Sequence, residues 1–238
     1  MTSLERRSLP DSASSDPRSS QRAADVHIAS NHQAVHMQQQ ADLFEAASQY
    51  PAGFRYAPEF ISPDEERRLV EHLQRLDFKP FDFHGFLGKR RVISFGWRYD
   101  FNGGGLTETD DMPEFLLPLR DRAAAFAGLK PVDLQQVLLT EYQPGAPIGW
   151  HKDRSVFGDV VGVSLLSACT FRFRRKAGAD WKRSSLVLAP RSAYLLHGPA
   201  RTEWEHSIPA VTEPRYSLTF RNFRDGAQAS DELFKGTD

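Results

Sequence analysis

From Leu134 onward the chain is written in short apolar runs broken by Gly, Pro, Ser or Asp, and that punctuation is what most restricts its fold. The runs are LQQVLLTEYQ, VVGVSLLS, CTFRFRR, SSLVLAP, SAYLLHG and RYSLTFRNF, all rich in β-branched and aromatic residues. CTFRFRR alternates strictly, so Phe171 and Phe173 turn one way while Arg172 and Arg174 turn the other. Cys169, at the head of that run, reads as a core residue and not as a nucleophile. Upstream the period changes. Ser62-Pro63-Asp64-Glu65 is a helix start, with a capping serine, proline in the first turn and acids behind it. Leu69, Val70, Leu73 and Leu76 follow at helical spacing. A second helix is expected from Pro113 to Ala127, burying Phe115, Leu116, Leu119, Ala123 and Phe126, with Gly128 closing it. Many short strands with packing helices ahead of them define an α+β protein built on a β-sandwich or jelly roll.

Residues 1–50 are of another kind. Ser, Gln, Asp and Arg dominate them, with few large apolar residues to offset the entropy of ordering, so a disordered tail is expected, with at most a short helix over 38–48. His27, His32 and His36 fall in that tail and read as solvated. The folded domain is expected over 51–224, and residues 225–238 as a flexible end. Its 17 Phe and 4 Trp are enough for an aromatic core. The net charge of −1 gives no global attraction to nucleic acid, so any such attraction must be local. One cysteine excludes internal disulfides and cysteine-based zinc sites and fits a reducing compartment. No run approaches the roughly 18–20 apolar residues of a membrane span. Arg6-Arg7 has no apolar segment behind it, so no secretory signal is read. A cytoplasmic monomer without membrane partners is the expectation.

Trp150-His151-Lys152-Asp153 brings two metal-ligating side chains two residues apart. In extended backbone such residues face the same side, so His151 and Asp153 can converge on one ion. An HxD pair alone is weak evidence, and a third ligand must come from elsewhere in the fold. His72 falls in a helix, His84 precedes the catalytic strands and His197 leads into a Gly-Pro turn. His206, just ahead of Ile208, competes best. Two histidines and a carboxylate make a facial triad, which leaves coordination positions for a bidentate co-substrate and O2. The run Arg215-Tyr216-Ser217-Leu218-Thr219-Phe220-Arg221 then sets Arg215, Ser217, Thr219 and Arg221 on one face. The two arginines are roughly 20 Å apart at Cα, at about 3.3 Å per residue. Their side chains can reach inward to meet the two ends of a small dicarboxylate, in the planar geometry a guanidinium offers a carboxylate. The bland alternative is a solvated strand face.

The order HxD, distant His, RYSLTFR, together with LLTEYQPGAPIGWHKD, VGVSLLS and ARTEWEHSI, resembles the AlkB family of Fe(II)/2-oxoglutarate dioxygenases over about Leu134 to Arg224. The resemblance implies a double-stranded β-helix (jelly roll, about 134–224) flanked by N-terminal helices and a nucleotide-recognition lid at about 80–105. It makes His151, Asp153 and His206 the iron ligands. Arg215 looks like the family's partner for the distal carboxylate of 2-oxoglutarate, Arg221 like its second arginine, and Tyr142 like a tyrosine that holds the co-substrate. Thr140 and Ser217 stand where well-known members carry asparagine, and both can still hydrogen-bond. GFLGKRRVISFGWRYDF is similar to the lid, with Lys89, Arg90 and Arg91 for phosphates and Trp97, Tyr99 and Phe101 as a stacking face. His197 matches a position beside metal and base, and Arg154 is a further substrate-side candidate. Arg172, Arg174, Arg175, Lys176, Lys182 and Arg183 form one more basic run, either a solvated face or a backbone-contacting one.

What the resemblance implies is oxidative demethylation of alkylated DNA, or RNA second, with Fe(II), 2-oxoglutarate and O2 consumed and succinate and formaldehyde released. The same site on a tRNA nucleoside or a protein side chain is the alternative, since fold and triad do not set the substrate. A silent binding module would not need three ligands and two arginines, and a zinc hydrolase would leave Arg215 and Arg221 unexplained.

Overall fold

A computed structural model of the chain describes residues 49–83, 86–100 and 105–224. The expected tail (apart from its last two residues), the C-terminal end, His84 and Phe101 lie outside the described residues. The strands are β1 (Phe54–Ala57), β2 (Lys79–Phe83), β3 (Phe86–Phe95), β4 (Trp97–Asp100), β5 (Gly105–Glu108), β6 (Gln136–Tyr142), β7 (Ile148–His151), β8 (Phe157–Leu165), β9 (Cys169–Ala177), β10 (Asp180–Leu188), β11 (Ser192–Leu196), β12 (Glu205–Ile208) and β13 (Arg215–Phe223). A seven-stranded sheet runs in the order β1-β11-β8-β13-β6-β3-β2, and a four-stranded sheet in the order β10-β9-β12-β7. All described pairings are antiparallel. This is the jelly roll.

Strand parity builds the layers. Along β13, Tyr216, Leu218 and Phe220 join Val161, Val163 and Leu165 of β8 in a core against the helices. Tyr142, Val160, Tyr194 and Leu196 point the other way and meet Phe171, Phe173 and Leu188 of the small sheet. Cys169 is buried in that inter-sheet core, as its alternation requires.

Helix α1 (Pro63–Leu73) begins as its sequence dictates: Ser62 accepts from the Glu65 amide and Glu65 reaches back to the Ser62 amide. Leu69 and Leu73 are buried against the large sheet. Helix α2 is Leu117–Ala127, shorter than expected, because a separate 3-10 turn occupies Glu114–Leu116. Pro118 explains the difference. It fits the first turn of α2, but in a helix begun at Pro113 it would sit in the interior and break the hydrogen-bond ladder. Gly128 ends α2 at φ 75°, the left-handed conformation glycine adopts without strain.

The segment expected as a lid divides in two. β3 is hydrogen-bonded to β6 and so extends the large sheet, while β4 and β5 form their own hairpin. The described helices include none long and apolar enough to cross a membrane.

Candidate metal centre

β7 and β12 lie side by side with His151 directly opposite His206, their rings 4.2 Å apart. Asp153 follows two residues after His151, and the ligand atoms of His151, Asp153 and His206 all lie within 4.8 Å of one another. Spacing and the family resemblance together singled out these three, and the fold brings them to one place.

The chemistry of the donors fits a divalent metal. His151 Nδ1 sits 2.9 Å from the Gly149 carbonyl oxygen, which can only accept, so the proton is on Nδ1 and Nε2 keeps its lone pair. Burial first, then the neighbouring His151, push His206 down to about 3; burial likewise lowers His151. Both are therefore neutral at pH 7, as ligation requires. Burial would raise Asp153, but Arg221 foremost, then His206 and His151, hold its carboxyl below the usual range. Arg221 donates to Asp153 Oδ1 from Nε at 2.9 Å and Nη2 at 2.6 Å, and to Gln136 Oε1 from Nη1 at 2.9 Å. Oδ2 is left on the His206 side, 3.6 Å from Nε2. The expected neighbour of the aspartate is thus committed to positioning it.

Arg215 occupies the other end of the same strand face. It is fully buried, and Nε donates to Ser164 Oγ at 3.1 Å, yet Nη1 and Nη2 have no hydrogen-bond partner among the described residues. A buried guanidinium with two open donor groups calls for an anion, and the planar fork matches one carboxylate. Register surrounds it with hydroxyls. Ser217 lies opposite Thr140 on one side and Ser164 on the other, and Tyr142 lies opposite Arg215, its ring 5.0 Å from the guanidinium carbon. Between the two arginines the floor is Thr219, opposite Gly162, which is opposite Tyr194. These residues fit a dicarboxylate running from Arg215 towards Asp153.

Ser164 and Tyr194 escaped the sequence reading. Each is a polar group in an apolar strand, and their place beside Arg215 depends on which strands pair and in what register. Gly162 is the clue to Tyr194. An added Cβ there would lie 2.2 Å from the Tyr194 Cζ, so glycine lets the ring lie flat across the strand. Gly162→Ala should displace that ring, lower stability by about 1–3 kcal/mol and weaken co-substrate binding. A thermal melt with and without 2-oxoglutarate measures both, and an unchanged melt would show the ring has room to spare.

The substrate-side candidates fare less evenly. Arg90 lies opposite Tyr142 on the inner face, its guanidinium 3.8 Å from the Phe81 ring centre. Arg91 turns to the opposite face from Arg90 and pairs with Glu141 at 2.5 Å, since neighbouring residues in a strand face opposite ways. Lys89 is exposed. Trp97 packs edge-on to Phe223 at 5.3 Å within a cluster of Leu106, Val156 and Phe157, so its ring serves packing. Tyr99 is partly buried beneath the Arg154 guanidinium, 4.2 Å from its ring centre, and accepts a hydrogen bond from it. His197, just past the end of β11, pairs with Asp159 at 2.7 Å and is mostly exposed.

A jelly roll with two histidines and a carboxylate converging on one point, on the same sheet face as a buried arginine with open donors, defines the class of Fe(II)- and 2-oxoglutarate-dependent dioxygenases. The chain belongs to the 2OG-Fe(II) oxygenase superfamily, whose sequence model matches residues 53–221. Within it the chain is AlkB-like. It is 29% identical over 183 residues to the Alkylated DNA repair protein ALKBH8 homolog of Arabidopsis thaliana, covering 66% of this chain and 51% of that protein. It is 31% identical over 140 residues to the DNA oxidative demethylase ALKBH2 of Mus musculus, covering 53% of this chain and 57% of the relative. The chain thus spans about half the length of these two curated relatives. The solved structure of OsALKBH1 shares the fold, with a TM-score of 0.60 at 17% identity over 73% of this chain and 97% of that one.

Proposed function

We propose that this protein is an oxidative demethylase of alkylated bases in nucleic acid, with DNA ahead of RNA. The observation that carries the chemistry is Arg215, a buried guanidinium whose Nη1 and Nη2 have no hydrogen-bond partner among the described residues, on the same strand face as the residue that steadies Asp153. The substrate class is supported by the names of the relatives, an alkylated DNA repair protein and a DNA oxidative demethylase. The oxygenase domain is taken as 51–224, with segment 80–105 as its nucleotide-facing side.

His151, Asp153 and His206 would hold Fe(II), and Arg215, Tyr142, Thr140, Ser217 and Ser164 would hold 2-oxoglutarate. Bound there with O2, these groups supply the oxidation: one oxygen atom enters an N-methyl C–H bond, the other enters succinate as CO2 is lost, and the N-hydroxymethyl product releases formaldehyde. Arg215 takes the distal carboxylate in a bidentate contact and so sets the length of keto acid admitted. Arg221 keeps Oδ1 of Asp153 occupied, which turns Oδ2 towards the two imidazoles. The Tyr194 ring and the apolar inter-sheet core exclude water from that path. Arg90, on the inner face beside Tyr142, and Arg154, above Tyr99, offer cations to phosphate on the substrate side.

The test is turnover with Fe(II) and 2-oxoglutarate on single-stranded and duplex oligonucleotides bearing N-methylated bases, a methylated RNA and a methylated protein control. Succinate and formaldehyde in equal amounts, dependent on the methylated oligonucleotide, are expected. Stimulation by the protein control alone would sink the substrate reading and leave the oxygenase chemistry standing.

A further inference from the structure

The outer face of the four-stranded sheet concentrates charge that the metal centre does not use. The β9–β10 hairpin carries Arg172, Arg174, Arg175, Lys176, Lys182 and Arg183 against one carboxylate, Asp180, in a chain whose net charge is −1. Phe171, Phe173, Leu186 and Leu188 alternate inward, so Arg172, Arg174, Lys176, Trp181 and Arg183 face out. Register sets Arg174 directly opposite Arg183 and Arg175 opposite Lys182. Like charges facing each other across antiparallel strands destabilise the pairing, so the fold tolerates this concentration at a cost. Glu205 and Glu203 partly offset Arg174 and Arg175, while Lys182 and Arg183 have no ion-pair partner among the described residues.

Indoles interleave with these cations. The Arg174 guanidinium carbon lies 4.6 Å from the Trp150 ring centre and 4.5 Å from that of Trp181. Arg172 lies 5.0 Å from Trp150, and the Lys176 ammonium 5.2 Å from Trp181. The stripe Arg172–Trp150–Arg174–Trp181–Lys176 thus crosses from β7, over β12, to β9 and β10. Each ring pre-orders its cation; Arg174 gives Nε to Glu205 and Arg172 gives Nε to Ser207, which leaves their Nη groups to meet an anion.

We propose that this face binds single-stranded nucleic acid and anchors the polynucleotide whose modified base is presented at the metal centre. The proposal rests on the demethylase reading. Cations at a pitch of about 7 Å along β9, from two residues at about 3.3 Å each, suit a chain of phosphates, and the partly exposed indoles suit unpaired bases. An acidic peptide would use the cations but not the rings, and a duplex keeps its base faces stacked inside. Trp150 precedes His151 on the edge strand of this sheet, so a strand leaving the metal centre has only that edge to round.

The experiment is fluorescence anisotropy of a labelled, unmodified oligothymidine 20-mer with the full chain at low salt. Arg172→Glu with Arg183→Glu should weaken binding at least tenfold and flatten the salt slope by about 1.4, for two phosphate contacts at about 0.7 each. Trp181→Ala should weaken it severalfold at an unchanged slope. Both variants should keep the parent's 2-oxoglutarate-dependent thermal shift, which shows that they fold. Binding within twofold of the parent in both variants overturns the proposal, as does equal competition by polyglutamate, which would assign the face to acidic protein. Failure of the demethylase reading is seen apart from this, as absence of turnover of a methylated trinucleotide by the parent protein.

Discussion

Replacing Arg215 by Met is expected to abolish useful binding of 2-oxoglutarate while making the ligand-free protein more stable. Both halves come from one fact: the guanidinium is fully buried, with no hydrogen-bond partner for Nη1 and Nη2 among the described residues. Truncating one member of a buried charged hydrogen-bonded pair costs about 2–5 kcal/mol of binding, which is roughly 30-fold to several thousand-fold in affinity. Without its carboxylate the same group is a desolvated cation, and an apolar side chain of similar length relieves that penalty. Thermal melts give the double signature. The parent should melt higher as 2-oxoglutarate is added, by about 2.7 kcal/mol at a hundredfold excess over the dissociation constant. The variant should start above the parent and respond little. Arg215→Lys keeps the charge but not the planar fork, and should fall between them. A variant that titrates with 2-oxoglutarate as the parent does would show that Arg215 serves the fold alone.

Arg215 also marks how far the sequence could be read. Its face along β13 follows from a period of two within seven residues, and so does the company of Ser217, Thr219 and Arg221. His151 and Asp153 were legible for the same local reason. The capping of α1 was legible because Ser62 and Glu65 are three residues apart and satisfy each other's backbone. What could not be read is whatever depends on a neighbour distant in sequence. Ser164 reaches Arg215, and Tyr194 lies over Gly162, because β8 stands between β13 and β11 in a particular register, which turns and packing set and no single strand encodes. The same gap hid the partners of Arg91 and His197, since Glu141 lies across one strand pair and Asp159 on β8. The start of α2 failed for a different reason: the apolar spacing was sound, but it outweighed the rule against an interior Pro118.

Asp153→Ala is expected to remove iron binding and turnover together and to destabilise the protein by about 3–5 kcal/mol, the usual cost of leaving one member of a buried ion pair alone. The abandoned member is Arg221, whose Nε and Nη2 both point at Asp153 Oδ1. Against a domain stability of about 5–15 kcal/mol the variant should still fold, but lost activity in it would confound ligation with stability. The double variant Asp153→Ala with Arg221→Met separates them. With no cation left to strand, most of the lost stability should return, whereas iron binding should not. Arg221→Met alone should keep three ligands but free the Asp153 carboxylate to turn, lowering iron affinity by about 10–100-fold, as loss of an outer support for a ligand does. The order of iron affinity should therefore be parent, then Arg221→Met, then both Asp153 variants alike. The order of stability should instead place Asp153→Ala last and the double variant above it. If the double variant regained iron binding along with stability, Asp153 would be a partner for Arg221 and not a ligand, and the metal would have to be held by the two histidines with some other group.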